Sequence, residues 1–161
     1  MTLVFNASPV IVLAKAGLLE TLSALGSPAL IPQAVVDEIL KVNDPMDPAR
    51  LWFEGSGAPF QRVATPPMSP FLAGWDLGPG ESSVISIATG ITEAVAVLDD
   101  LAARRCAQSH GIPITGTLGL VLLAKKHRLI PDVTTALESI VNSGLFISRD
   151  ILAKIRKKAG E

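Results

Sequence analysis

Short apolar runs alternate with longer segments of helical spacing along most of the chain. Strand-like runs are predicted at 3–5, 29–31, 94–98 and 112–114, with a weaker one near 60–64. Between and after them, apolar positions recur at helical intervals over 9–17, 18–26, 33–41, 49–54, 81–90, 101–111, 118–127, 131–142 and from 149 onward. Such alternation is typical of βαβ units. It predicts a three-layer α/β/α fold with a central, mainly parallel sheet.

Residues that favour helix starts and turns sharpen this outline. Ser8 before Pro9 predicts an N-cap, and Asp100 and Thr117 are each placed to cap the helix that follows. Prolines and glycines crowd the segment 43–80, which predicts a long loop after the weak strand. Near the end, 146–147 predicts an edge strand before the final helix.

Length and composition limit the class of protein. We expect 161 residues to form a single domain over 1–161. The mean hydropathy of +0.44 is high, so part of the apolar surface could be covered by another subunit. The longest apolar run, 118–124, is too short to cross a bilayer, and no secretory signal is visible. Cys106 is the only cysteine, which excludes an intrachain disulfide and fits a cytoplasmic protein without membrane association.

Charge is nearly balanced overall but unevenly distributed. The net charge of -1 is not that of a protein that coats nucleic acid. Basic residues nevertheless cluster at 104–105, at 125–128 and at 154–158. One interpretation is solvated helix ends, where cations are favourable; the other is a local surface that contacts phosphate.

Polar residues stand where the predicted strands end. Asn6 follows the first strand, and Asp99 and Asp100 follow the strand at 94–98. Ligands of open parallel sheets collect at the carboxyl ends of the strands. Carboxylates that converge there repel one another unless a cation or a bound proton neutralises them. The pattern therefore favours a metal site.

Two further acidic positions lie on helices. Glu81 precedes Val84, Ile85 and Ala88 by three, four and seven residues, so it shares their inward face. The alternative is an acid that only complements the helix dipole. Asp37 and Glu38 flank a buried stripe at equal angles, and periodicity does not choose between them. For either one, a solvated helix acid is the competing interpretation.

Five stretches of the chain carry a family resemblance. They are VFNASPVIVLAKAG, IPQAVVDEIL, LGPGESSVISIA, VLDDLAARRCAQSHGIPITGTLGLVLLAKKHRLIP and SGLFIS. In these stretches the chain resembles the PIN domain family, and within it the compact PIN-like toxins of bacterial and archaeal toxin-antitoxin pairs. The resemblance implies a nuclease that hydrolyses RNA with Mg²⁺ or Mn²⁺. It also implies a cognate antitoxin and a homodimer, for which the helix LGLVLLA is a candidate contact unless it is buried within one subunit.

The same resemblance assigns roles to individual residues. The catalytic and metal-binding positions fall at Asn6, Glu38, Glu81 and Asp100, with Asp99 as the alternative to Asp100. The resemblance gives supporting roles to Ser8, the hydroxyl residue after the first position, and to Thr115 and Thr117, which follow the next predicted strand. Arg104, one helical turn beyond Asp100, lies close enough in sequence to contact a phosphate. For Thr117, helix capping is the competing interpretation, and for Arg104, simple exposure.

Asn6 departs from the family pattern, which has aspartate there. Its amide oxygen can still coordinate Mg²⁺, but the negative charge is lost, so metal affinity should fall. The expected function is therefore a metal-dependent ribonuclease, weakened at this position. The alternative is an inactive PIN-like module that binds RNA or a protein partner. A phosphoacceptor receiver domain is disfavoured, because its acid pair ends the first strand rather than a later one.

Overall fold

Five parallel strands form the central sheet. The computed structural model describes residues 1–161. The strands are β1 (Thr2–Phe5), β2 (Ala29–Pro32), β3 (Gln61–Val63), β4 (Ala94–Val97) and β5 (Ile114–Thr115), and they lie side by side in the order β3-β2-β1-β4-β5. Every neighbouring pair is parallel. Five of the six predicted strands and their parallel arrangement are confirmed, although β5 lies at Ile114–Thr115 rather than at 112–114.

Helices flank the sheet, which confirms the three-layer α/β/α prediction. None of them is long and apolar enough to cross a bilayer. They are α1 (Ala7–Lys15), α2 (Leu19–Ser23), α3 (Gln33–Leu40), α4 (Pro48–Glu54), α5 (Pro79–Thr89), α6 (Leu101–Ser109), α7 (Thr117–Lys126), α8 (Val133–Asn142) and α9 (Arg149–Ala159), with a 3₁₀ helix at Pro70–Trp75 in the proline-rich segment.

The strand order creates a switch point between β1 and β4. From β1 the chain moves to one side through β2 and β3, and it then returns to place β4 and β5 on the other side. The carboxyl ends of β1 and β4 meet where the backbone amide of Asn6 donates to the Val97 carbonyl at 3.1 Å. Crevices at such points are the usual ligand sites of open α/β sheets.

Behind this point the sheet is tightly packed. Leu3, Val4 and Phe5 are fully buried. The Phe5 ring meets Phe60 edge-on, with centroids 5.1 Å apart, and Phe60 in turn packs on Phe53. Because buried aromatic rings of this kind fix the end of β1, Asn6 is held by the core rather than by a mobile loop.

Several predicted boundaries are wrong in detail. Ser8 is not an N-cap, because α1 begins at Ala7 and Asn6 occupies the cap position. Thr117 is the first residue of α7, preceded by Gly116 at the cap position. The strand expected at 146–147 is absent: Phe146 is 90% exposed, and the chain passes directly into α9, whose N-cap is Ser148.

Candidate metal centre

Asn6 lies at the centre of the candidate site. Its side chain is buried, with 2% exposure, and it follows β1 at the N-cap position of α1 without capping that helix. Instead its Nδ2 donates to Glu81 Oε1 at 3.2 Å. The side chain therefore joins the end of the central strand to the first turn of α5.

This hydrogen bond fixes the orientation of the Asn6 amide. An ionised carboxylate can only accept, so the nitrogen must face Glu81 and the oxygen must face away. The oxygen, Oδ1, is buried and has no hydrogen-bond partner. Because buried acceptors in native proteins are nearly always satisfied, this oxygen is aimed at a group that the protein alone does not supply.

Glu38 lies on the other side of the same small space. Its Oε2 and the Asn6 Oδ1 both approach Gly80, at 2.8 Å and 3.0 Å from the point that a Cβ would occupy there. Asp37, the competing position, instead accepts from Gln33 at 2.8 Å on the exposed side of α3. Both acids line the adjoining cavity, but only Glu38 approaches Gly80 and Asn6, a distinction that the helical period could not make.

The electrostatics of Glu38 reflect this crowding. Although the residue as a whole is exposed, its carboxylate end lies against Gly80. Partial burial, and secondarily the negative charge of Glu81, raise the pKa of Glu38 above its ordinary value. A carboxyl group whose ionisation is disfavoured, next to an unsatisfied oxygen, creates a demand for positive charge.

Two glycines that flank Pro79 make room for these carboxylates. A Cβ at Gly78 would lie 2.7 Å from Glu81 Oε2, just as a Cβ at Gly80 would crowd Glu38 and Asn6. The adjoining cavity, of about 310 Å³, is lined by Glu38, Gly80 and Lys41 among others. Reasoning from the sequence missed both glycines and Lys41. The Gly-Pro-Gly run before Glu81 was the available signal, since glycine often marks close approach.

Asp99 and Asp100 have other partners. Asp99 accepts from the Thr117 backbone amide at 2.8 Å and from the Thr117 hydroxyl at 2.6 Å, so it holds the first turn of α7. Asp100 accepts from the Ala103 amide at 2.8 Å and caps α6, as predicted. No hydrogen bond joins either residue to Asn6, Glu38 or Glu81, and their assignment as metal ligands stays a prediction.

The residues predicted to support the site do not all lie in the same place. Arg104 donates to the Leu98 carbonyl at 2.8 Å, and both Arg104 and Asp99 crowd the position of a Cβ at Gly116. The Thr115 hydroxyl packs against Gly119. Ser8 is exposed. Arg104 and Thr115 therefore belong with Asp99 and Thr117 beyond the end of β4, whereas Ser8 has no structural link to either group.

The oxygen donors at Asn6, Glu38 and Glu81 suit a hard divalent cation. Carboxylate and amide oxygens are the protein ligands that Mg²⁺ accepts, and it usually needs only one or two carboxylates beside its waters. The unsatisfied Oδ1 of Asn6 fits such an ion. No group of three or more His, Cys, Asp or Glu side chains gathers closely enough to hold a metal, so no third acidic side chain joins Glu38 and Glu81, and the oxygen donors here are two carboxylates and one amide.

Comparison with known proteins bears on this site. A family model described as a PIN domain matches residues 2–161. No curated protein and no solved structure matches the chain significantly. The matched span contains the whole sheet and every residue of the candidate site, and the resemblance noted in the sequence motifs is confirmed. The chain belongs to the PIN domain family, which has a nuclease-type fold.

Proposed function

We propose that this protein is a metal-dependent ribonuclease whose centre is formed by Asn6, Glu38 and Glu81. The observation that carries the proposal is the buried, unpartnered Asn6 Oδ1 beside the Glu38 carboxylate. Two acceptors that face one space need a cation, a proton or a donor such as water between them, and the two carboxylates beside this space favour the cation. The choice of Mg²⁺ or Mn²⁺ and of RNA as substrate follows from the family.

Different residues would have different roles at this centre. Asn6, Glu38 and Glu81 would hold the cation, and Asp100 or Asp99 would join them if its side chain left its present hydrogen-bond partners. When bound, a divalent cation supplies Lewis-acid chemistry: it lowers the pKa of a water and offsets negative charge on the phosphate. Lys41, which lines the same cavity, is placed to contact a phosphate oxygen.

The raised pKa of Glu38 gives this residue a second role. A carboxyl group whose pKa is raised takes up a proton more readily at neutral pH than an ordinary glutamate does. A bound cation lowers this pKa again, so Glu38 would act as a base only through a carboxylate oxygen that the cation does not engage. Asn6 itself cannot serve as a base, because its amide has no basic lone pair.

The distribution of charge supports an RNA substrate. Of the 14 basic residues, eight lie after Gly116, whereas only four of the 15 acidic residues do. Lys154, Lys157 and Lys158 are exposed along α9. The last helices thus offer a basic surface that can follow a phosphate backbone away from the acidic centre, even though the protein as a whole is nearly neutral.

The direct test is RNA cleavage with Mn²⁺ added or chelated. Glu81→Gln keeps the size of the side chain but removes its charge. We expect it to lower the cleavage rate on the order of a hundredfold, since even second-sphere partners of metal sites are worth about 10- to 100-fold. Glu20→Gln is the matched control, because Glu20 is an exposed acid on α2. Equal cleavage by both variants, or cleavage that persists after chelation, would refute the proposal.

A second candidate function is supported by Asn6. The amide donates to Glu81 and so partly replaces the cation that an acid at this position would require. The protein could then keep the PIN fold as an inactive module that binds RNA or a protein partner. Asn6→Asp decides between the two. Cleavage that appears only in the variant would favour the inactive module, and an active parent would reject it.

The toxin role, a cognate antitoxin and a cytoplasmic homodimer complete the proposal by family analogy. The helix LGLVLLA does not require a second subunit, since Leu120, Val121 and Ala124 are buried within the chain. Leu118, Leu122 and Leu123 of the same helix are half-buried, so this helix stays a candidate contact for a dimer. Sedimentation at micromolar concentration measures the oligomeric state, and a monomer at that concentration would count against the homodimer.

A further inference from the structure

A second cavity adjoins the candidate metal centre. It has a volume of about 210 Å³ and lies between the loop after β3 and the first two turns of α5. Pro79 lines both this cavity and the one that contains Glu38. The second cavity therefore begins one residue from Gly80, where the oxygens of the metal centre converge.

The two neighbouring cavities differ in charge. The first is lined by Asp37, Glu38 and Lys41, which suit a cation and a phosphate group. No charged residue lines the second cavity, whose walls are formed by hydroxyl groups, prolines and a methionine. A phosphate would find no counter-charge there. A neutral, partly apolar group would lose little on entering it.

One hydroxyl in the second cavity has no partner. Ser82 is 5% exposed, yet its Oγ makes no hydrogen bond. Its neighbour Ser83 differs, because the Ser83 hydroxyl donates to the Pro79 carbonyl at 2.6 Å. Ser86 lies one helical turn after Ser82 and lines the same wall. A buried hydroxyl without a partner indicates a polar atom that a ligand supplies.

The residues that the loop after β3 contributes to the cavity have the chemistry of a stacking surface. Pro66, Pro67 and Met68 present flat or adaptable apolar faces. Thr65 accepts from the Ala34 amide at 2.9 Å, and this bond fixes the loop against the start of α3. A planar heterocycle would fit between these loop residues and the serines, with its face on the prolines and its polar edge towards the hydroxyl groups.

We propose that this second cavity is a nucleobase subsite. It would receive the base of a nucleotide next to the scissile phosphate, and Ser82 would donate to or accept from the edge of that base. The proposal rests on the proposed ribonuclease function for the identity of the substrate. The subsite gives the enzyme a preference among bases, whereas the metal centre provides cleavage.

The test uses free nucleosides, which contain a base and no phosphate. In amide NMR spectra of the intact protein, adenosine or uridine should shift the signals of residues 65 and 82–86. Ribose 5-phosphate, which has no base, should leave these signals unchanged. Ser86→Phe should abolish nucleoside binding by filling the cavity. The matched control is Ser139→Phe, a partly buried serine on α8 that does not line the cavity.

A milder variant covers the case in which Ser86→Phe does not fold. Ser82→Ala removes one hydroxyl without adding bulk, and we expect nucleoside affinity to fall about fivefold, the worth of one hydrogen bond. Both variants should also reduce the base preference of cleavage while RNA is still cut. The absence of nucleoside-induced shifts at this cavity, or shifts that survive in Ser86→Phe, would overturn the subsite.

Different results would refute the ribonuclease function and the nucleobase subsite. A protein that binds nucleosides in the cavity but cuts no RNA in Mn²⁺ would keep the subsite and lose the ribonuclease function. A protein that cuts RNA but shows no binding, or no change of base preference in the Ser82 and Ser86 variants, would keep the ribonuclease and lose the subsite.

Discussion

Gly80→Ala adds one methyl group at the point where the candidate ligands converge. The new Cβ would lie 2.8 Å from Glu38 Oε2 and 3.0 Å from Asn6 Oδ1. Ordinary contact begins at 3.4 Å, so the two oxygens must retreat by about 0.6 Å and 0.4 Å, more than the roughly 0.2 Å tolerance of a metal-ligand distance. The substitution should therefore damage metal binding.

The same substitution should leave the fold intact. Gly80 lies in the first turn of α5, and its backbone is not in the left-handed region, so alanine is compatible with it. Alanine favours a helix over glycine by up to about 1 kcal/mol, which offsets the cost of moving the flexible Glu38 side chain. Asn6 is buried and cannot move as freely. The displaced Glu38 carboxylate should therefore appear as lost metal binding, and the smaller clash with Asn6 as only a small loss of stability.

Two measurements check this reasoning. Titration with Mn²⁺ should show at least about tenfold weaker binding in Gly80→Ala, in line with the 10- to 100-fold effects of disturbing a metal site. Thermal unfolding in a chelator should show little change. Gly90→Ala, at the other end of α5, is the control, because its Cβ meets nothing closer than 3.6 Å. Unchanged Mn²⁺ affinity in Gly80→Ala would refute the assignment of this centre.

Three further predictions concern other parts of the molecule. Thr117→Val removes the hydroxyl that donates to Asp99 at 2.6 Å; it should cost about 1–2 kcal/mol, seen in thermal unfolding as a fall of about 3–6 °C. The pKa of Glu161 is lowered to about 2 by hydrogen bonds from the first turn of α8. Its stabilising effect should be present above the ordinary carboxyl pKa and disappear as pH falls towards about 2, so Glu161→Gln should destabilise at pH 7 but not at pH 2. Replacing Lys157 and Lys158 by Gln should reduce the salt dependence of RNA binding, by about 0.7 in log-log slope for each phosphate that the protein no longer neutralises, and an unchanged slope would place the RNA elsewhere.

The sequence predicted the layered fold because its signals are local. A run of four to five apolar residues makes a strand, and helical spacing between such runs makes a crossover. Glu81 was also predictable, since its inward position follows from the period of its own helix. Asp100 capped its helix as expected, because a cap depends only on residues three positions apart.

Other features depend on contacts between distant segments. Asp37 and Glu38 are equivalent on a helical wheel, and the approach of Gly80 from another helix decides which one enters the site. The sequence predicts Thr117 as an N-cap. In the structure Asp99, 18 residues earlier, instead accepts hydrogen bonds from both the backbone amide and the hydroxyl of Thr117. Pro9 is accepted at the third position of a helix as well as at the first, because none of those amides has a partner within the helix. The start of α1 was therefore misplaced by two residues.

Asn6 makes the stability of the centre depend on the cation in a predictable way. At this position an amide can donate to Glu81, whereas an aspartate would place a third negative charge among the acids. In a chelator, Asn6→Asp should therefore lower the free energy of unfolding by about 1–3 kcal/mol, the cost of an unmatched buried polar group. With saturating Mn²⁺ the Asn6→Asp variant should instead be more stable than the parent protein, because the added charge strengthens metal binding and ligands stabilise the state they bind. Thermal unfolding of both proteins, in a chelator and in Mn²⁺, measures this reversal of their relative stability. Equal stabilities under both conditions would show that position 6 does not face a cation, and Glu38 and Glu81 would then be surface acids that share a groove without a common ligand.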